Sequence, residues 1–358
     1  MKINYTLFII YLIFNVSCTK EDFEPTFNID FDVYCRNELK NTIYPSLVFG
    51  LNEKEKQTGT SFDYFTINVN TRTKEPLDLR VVVQESKVSY ETVIPLKNII
   101  SQASVIASLK WKYDDMKHFN QPGYFDLTLI CYDDRNNEVG RKELKMSYAS
   151  INECVFGAVL NNIFVDFSYI FAAYVNEDNP VIDAFLKEVL AYNPGLTGFT
   201  GYLSGNPNDV HPQVSTIFAT LRRKGVKYSN ITTTSNTNQL IWKQYVRFSD
   251  EVLNNTQANC MDGTAFFCSC LRKIGIHSVM VFKPGHVYLG YYSNPNRTQF
   301  HLLETTYVGT SKTIWEAWND NISDFNAYHN LYNNSDVSDQ YFMIDIDAAR
   351  NFIKPIGR

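Results

Sequence analysis

Cys260, His286 and Glu304 occur in that order within a short stretch of the chain. Cys260 lies in Gln257-Ala-Asn-Cys-Met-Asp-Gly-Thr-Ala-Phe-Phe-Cys-Ser-Cys-Leu-Arg-Lys-Ile-Gly-Ile, His286 in Pro284-Gly-His-Val-Tyr-Leu-Gly, and Glu304 in Leu302-Leu-Glu-Thr-Thr. A thiol, an imidazole and a carboxylate are the parts of a nucleophilic acyl-transfer site. The thiolate attacks, the imidazole moves the proton, and the acid orients the ring. Taken singly, each has a plainer reading: a helical cysteine packs in a core, a histidine before a strand is a satisfied surface group, and a strand-end glutamate is solvated. The three together, in this order, argue for a site.

The elements that must hold them are legible. Thr264, Phe267, Cys268, Leu271 and Ile274 follow a three-four spacing and predict the core face of a helix. Cys260 lies one turn earlier on that face, at the helix start, with Asn259 as its cap. The positive end of the helix dipole favours a thiolate there, and free backbone N–H groups at the same end can receive an oxyanion. Gly275 ends the helix, with Arg272 and Lys273 in its last turn. Ser278 to Phe282 then reads as a strand, Pro284-Gly285 as a turn, His286 to Tyr292 as a second strand and Gln299 to Glu304 as a third. An in-register hairpin sets His286 and Glu304 side by side. Glu304 then orients the ring while its other nitrogen faces the thiol.

A helix followed by three strands, carrying Cys, then His, then an acid, resembles the transglutaminase-like superfamily. Arg272-Lys-Ile-Gly-Ile276 is similar to that family's basic-x-x-Gly-Ile ending of the nucleophile helix. Gly263, Thr264 and Ala265 are similar to its small-residue first turns. The resemblance covers about residues 175 to 310, with its specific motifs between 257 and 306. It implies a papain-type α+β domain with Cys260 as nucleophile, His286 as base and Glu304 as third member. The family more often has Asp in the third place, and Glu304 brings a longer arm. Tyr288 stands where the family commonly has Trp. The usual aromatic just before the nucleophile is absent, and Gln257 is the candidate amide for the oxyanion. The family holds peptidases, deamidases and cross-linkers, among which these residues do not choose. His277 and His301 read as structural, and Trp315 and Trp318 as packing residues of a helix spanning Thr313 to Tyr328.

The chain of 358 residues suggests two domains. Hydrophobic residues make up 44%, and 25 Phe with 23 Tyr allow large aromatic cores. The net charge of −5 without a long basic run speaks against a nucleic-acid partner. Lys2 and the apolar run from Leu7 to Phe14 read as a targeting segment, too short to span a bilayer. Asn15-Val-Ser-Cys18 resembles the lipobox of a bacterial lipoprotein signal. That implies a signal peptide over 1–17, lipid on Cys18, a tether over 18–28, and a lipid-anchored location at the outer membrane. Thr19-Lys-Glu-Asp22 resembles a surface-export signal, with a solvated linker as the alternative. Cys35, Cys131, Cys154, Cys268 and Cys270 lack the spacing of a disulfide framework. No Cys or His cluster has zinc spacing and no calcium loop is visible. No metal or cofactor is expected.

From 29 to about 150 the pattern is strand-like. Phe65, Ile67 and Val69 alternate with polar residues, as do Leu77, Leu79 and Val81, and Phe125, Leu127 and Leu129. Asp133 to Asn137 is a turn cluster. This predicts a β-sandwich of immunoglobulin type. From 151 to 358 the pattern turns helical, with helices at Pro180 to Leu190, after Asp209 and over Gln239 to Leu253. Tyr341 to Asp347 reads as a closing strand. The expected fold class is α+β, an amino-terminal immunoglobulin-like β-sandwich followed by a transglutaminase-like domain. The expected function is acyl transfer on peptide or glutamine amides through a thioester, most simply by hydrolysis, with a protein or peptide as substrate. The alternative is an inactive binding or scaffold module of a surface complex. A cell-wall endopeptidase is a third reading, disfavoured by the short gap between Cys260 and His286.

Overall fold

The computed structural model describes residues 29–58, 62, 64–73, 75–230, 240–333 and 340–358. The signal and lipidation residues up to Cys18, and the tether, lie outside these described residues. Among the described residues no helix is long and apolar enough to cross a membrane.

Alternation in the amino-terminal half becomes strands. Phe65, Ile67 and Val69 are buried on one face of the strand Phe65–Thr71, which lies between Ile29–Cys35 and Gln102–Ile106 in a three-stranded antiparallel sheet. A five-stranded sheet runs in the order Thr42–Ile43, Glu138–Tyr148, Gly123–Tyr132, Leu77–Val83, Thr92–Ile99. Asp133 makes the expected turn, its Oδ1 accepting the N–H groups of Arg135 and Asn137. One departure from the all-strand reading is the helix Pro45–Thr58. Its apolar residues Leu47, Val48 and Leu51 are buried at helical rather than alternating spacing. Ser46 ties it to the next unit, donating to the carbonyl of Glu153 at 2.6 Å and accepting from the Val155 N–H.

The core passes without a break from this half into the next. Met146, Ala149, Ile151 and Cys154 belong to one cluster that also takes in Phe185, Phe266 and Leu303. A third sheet, in the order Ile163–Asp166, Glu153–Leu160, Ile241–Tyr245, follows directly. Here Gln239 to Leu253 corrects the helical reading. Ile241 to Tyr245 is a strand, and a helix begins only at Ser249–Asn255. The aromatic residues Trp242 and Tyr245 favour the pleated surface, and the charges Asp250 and Glu251 suit a helix start.

The carboxy-terminal sheet is antiparallel throughout, in the order Phe300–Leu303, His286–Tyr292, Ser278–Lys283, Phe342–Asp345. The helix Cys260–Lys273 packs on it, buried from Met261 to Leu271. Helices Pro180–Tyr192 and Val210–Arg223 cover this helix in turn. Phe185 meets Phe266 edge to face, with ring centroids 5.0 Å apart. The expected helix over Thr313 to Tyr328 is broken into Ile314–Asn319 and Ile322–Ala327. The break leaves Asn321 between them, buried.

The start of the central helix is fixed by a buried network. Asn259 caps it by accepting the Asp262 N–H at 2.8 Å, and Asp262 answers by accepting the Asn259 N–H at 2.8 Å. Asp262 also accepts from the Arg247 backbone at 2.7 Å and from its guanidinium at 2.8 Å. Burial pushes the Asp262 carboxyl up, and these bonds pull against it. Asp262→Ala removes the acceptor shared by Arg247 and Asn259. It is expected to cost about 3–5 kcal/mol in urea unfolding, the range for breaking a buried charged pair.

Candidate active site

Cys260 is the first residue of the capped helix, at its positive end. The capping box uses two of the four N–H groups a helix start leaves open. Those of Cys260 and Met261 have no intrahelical acceptor. Gly263, one turn on, lets the helix approach the segment after Glu304, because a Cβ there would lie 2.9 Å from the Thr305 Oγ1.

His286 opens its strand directly after a two-residue turn. Pro284 supplies the first turn position and Gly285 the positive φ of 71° that the second needs. Lys283 and His286 are then cross-strand partners. Glu304 lies one residue beyond the end of Phe300–Leu303, where it caps a 3-10 turn. Leu303 pairs with Leu289, so Glu304 is level with Tyr288 and diagonal to His286 rather than directly alongside it. The longer arm of Glu covers that diagonal. Its Oε2 is 2.7 Å from Nε2 of His286. The Cys260 thiol lies close enough to raise the pKa of the ring. With Nε2 taken by Glu304, Nδ1 is the nitrogen left for the sulfur.

Glu304 is 3% exposed and each of its oxygens has two donors. Oε1 accepts from the Thr306 N–H at 3.1 Å and its hydroxyl at 2.6 Å. Oε2 accepts from His286 and, at 2.9 Å, from the side-chain amide of Asn321. The Asn321 carbonyl in turn accepts from Lys283 at 2.9 Å. Burial alone would raise the Glu304 carboxyl, but the bonds from His286, Thr306 and Asn321 outweigh it and hold it low. Burial likewise opposes charge on His286, yet the contacts with Cys260 and Glu304 prevail and raise its pKa to about 9.

Cys260 and His286 open into a groove of about 520 Å³, whose wall includes Trp242, Gln244, Phe164 and Phe342. Gln257, the amide singled out in the sequence, is elsewhere. It lies on the two-residue strand Gln257–Ala258, paired in parallel with Lys227–Tyr228, and is not among the residues lining the groove. Gln244 and Gln340 are side-chain amides on the lining of the groove that holds the thiol, and the Gln244 amide nitrogen donates to the Tyr245 carbonyl at 3.0 Å. Alternation around Trp242 was the available signal for it. Asn321 and Thr306 were also missed, since neither falls on a patterned position. His277 lies against Asp347, and His301 against Ser293, both away from the sulfur. Trp318 packs beside His211, whereas Trp315 is exposed. Among the described residues the cysteines form no disulfide, and no group of His, Cys, Asp and Glu is arranged to hold a metal ion.

No protein-family model matches the chain, and no curated protein matches it. Among solved structures, the crystal structure of red sea bream transglutaminase overlaps 78% of this chain at 12% identity, with a TM-score of 0.20. The overlap spans 53% of that enzyme, about half its length. A likeness this loose leaves the chemistry to be argued from the geometry of the site.

The geometry sets a pH window. His286 is raised from 6.5 to about 9, so the stability its charge contributes is complete below pH 6.5 and is lost as pH rises through about 9. Glu304 is lowered, so its share is present above its unfolded value and is lost as pH falls through the lowered one. In ¹⁵N-resolved NMR the His286 ring should titrate near pH 9. In Glu304→Gln the midpoint should fall by about one unit or more, the charge that supports the imidazolium having gone. A midpoint unmoved by that substitution would refute the coupling.

Proposed function

We propose that this chain is an exported lipoprotein carrying a transglutaminase-like thiol acyltransferase site. In this reading it is anchored through lipid on Cys18 at the outer membrane and cleaves amides of a protein or peptide substrate. The two amino-terminal sheets serve as an immunoglobulin-like β-sandwich that carries the site. The observation that supports it is the fully satisfied Glu304 carboxylate, which fixes the His286 ring on the wall of the groove that Cys260 also lines.

The chemistry follows from the parts. The thiol proton rests on His286, whose raised pKa holds it there, so the sulfur attacks as the thiolate of an ion pair. The sulfur bonds to the amide carbonyl carbon, and the oxyanion turns to the N–H groups of Cys260 and Met261, with the Gln244 amide facing the same groove. The C–N bond breaks as the leaving nitrogen takes the proton from His286, leaving a thioester. Water gives a proton to His286 and attacks the carbonyl. The C–S bond breaks, and the proton stays on His286, which restores the ion pair. The products are a carboxylic acid and an amine or ammonia.

At pH 7 iodoacetamide should modify Cys260 faster than any other cysteine, as mapped by mass spectrometry. The rate should fall at least about tenfold in His286→Ala, which removes the ring that takes the thiol proton. Peptide amide hydrolysis should vanish in Cys260→Ala. A Cys260 no faster than Cys35 and indifferent to His286 would make the inactive scaffold the better reading. Product release only with an added amine acceptor would replace hydrolysis by transamidation. Palmitate fed to producing cells should label the protein and should not label Cys18→Ala.

A further inference from the structure

The walls of the groove carry a second message. Phe164 and Trp242 stand edge to face on two strands of the third sheet, centroids 5.5 Å apart, and are 46% and 39% exposed. Opposite them Phe171, Phe282 and Phe342 form a stack, with centroids 5.3 Å and 4.3 Å apart. Aromatic rings left open to water beside a nucleophile are poorly placed for packing and well placed for a ligand. Among the described residues the charged side chains on the lining are Lys283 and the His286 ring, which Glu304 already holds. For Lys283 the partners are equally fixed. Its ammonium is already held by Asn321 at 2.9 Å and Asp324 at 3.0 Å.

We propose that this aromatic groove is the specificity pocket of the site, taking an acyl donor with a large aromatic or aliphatic side chain next to its reacting carbonyl. The substrate is an apolar peptide segment, and charged peptides such as the acidic stems of a cell wall are excluded. The inference rests on the thiol-site reading above. A volume of about 520 Å³ has room for such a side chain and its backbone. A carboxylate in the same place would lose water and find no free cation. Discrimination comes from residues outside the thiol, imidazole and acid. Phe164 and Trp242 are specificity residues, and their loss is read in the choice between substrates.

Peptidyl chloromethyl ketones that differ only in the residue at the ketone, Phe, Leu, Ala or Glu, test this on the purified protein. Inactivation at Cys260 is expressed relative to the iodoacetamide rate of the same variant, which reports the thiol without filling the groove. The Phe reagent should exceed the Glu reagent by about 100-fold, as expected for a shaped apolar pocket. The ratio should fall below about tenfold in Trp242→Ala and in Phe164→Ala, and Trp242→Phe should restore most of it. Two variants on an exposed face guard against misreading one misfolded protein. Fast iodoacetamide with equal Phe and Glu rates would overturn the pocket and leave the thiol site standing. A Cys260 that reacts with neither reagent would overturn both.

Discussion

A carboxylate taken out of water must find a donor for every lone pair, and the site depends on Glu304 meeting that demand. The four donors come from three different places. His286 stands on the neighbouring strand, Thr306 in the turn that Glu304 itself caps, and Asn321 at the break between two short helices. Each of these features has a cost elsewhere. The broken helix gives up intrahelical bonds, the strand stops early, and the central helix carries a glycine at 263 so that Thr305 can lie against it. The arrangement is coherent once the carboxylate is seen as the constraint they share. It also explains how the ring keeps its charge despite burial, since a carboxylate so fixed cannot turn away from Nε2.

The helix start is the second anchor, and it is coupled to the first. Asn259 and Asp262 cap one another, and Asp262 draws in Arg247 from just beyond the strand Ile241–Tyr245. That strand carries Trp242 and Gln244 to the groove. One buried acid therefore sets the thiol at a helix terminus and places the wall it faces. The amino-terminal sheets join the same body through an unbroken core and through Ser46, which bonds to both Glu153 and Val155.

Local signals in the sequence carried much of this. The cap at Asn259, the three-four spacing to Leu271 and the Pro284-Gly285 turn each report a backbone requirement that is local in sequence, and the corresponding elements are present. What escaped was set by tertiary contact. Nothing near Asn321 says that it faces Glu304, and the helical spacing of Thr313 to Tyr328 hides the break that exposes it. Ile241 to Tyr245 was read as helix because a five-residue strand and one helical turn share the same apolar count. Gln257 is near Cys260 in sequence but off the groove, whereas Gln244 reaches the lining through the strand Ile241–Tyr245, which pairs with Glu153–Leu160. The helix Pro45–Thr58 is hidden in a run of strands because the helical spacing of Leu47, Val48 and Leu51 lasts for little more than one turn.

The hydrolysis proposed for the thioester has a physical basis in the apolar lining of the groove. Its lining sets the Gln244 and Gln340 amides among the rings of Phe156, Phe164, Trp242 and Phe342. A protonated amine acceptor entering among those rings would shed its water without meeting a free carboxylate, because Glu304 is saturated and buried on the far side of His286. Water carries no such penalty. His286 keeps part of its ring at the surface, where a water can reach both the ring and the acyl carbon. The same apolar walls proposed to select the acyl donor weigh against a charged acceptor, and this is the ground on which hydrolysis is proposed ahead of cross-linking.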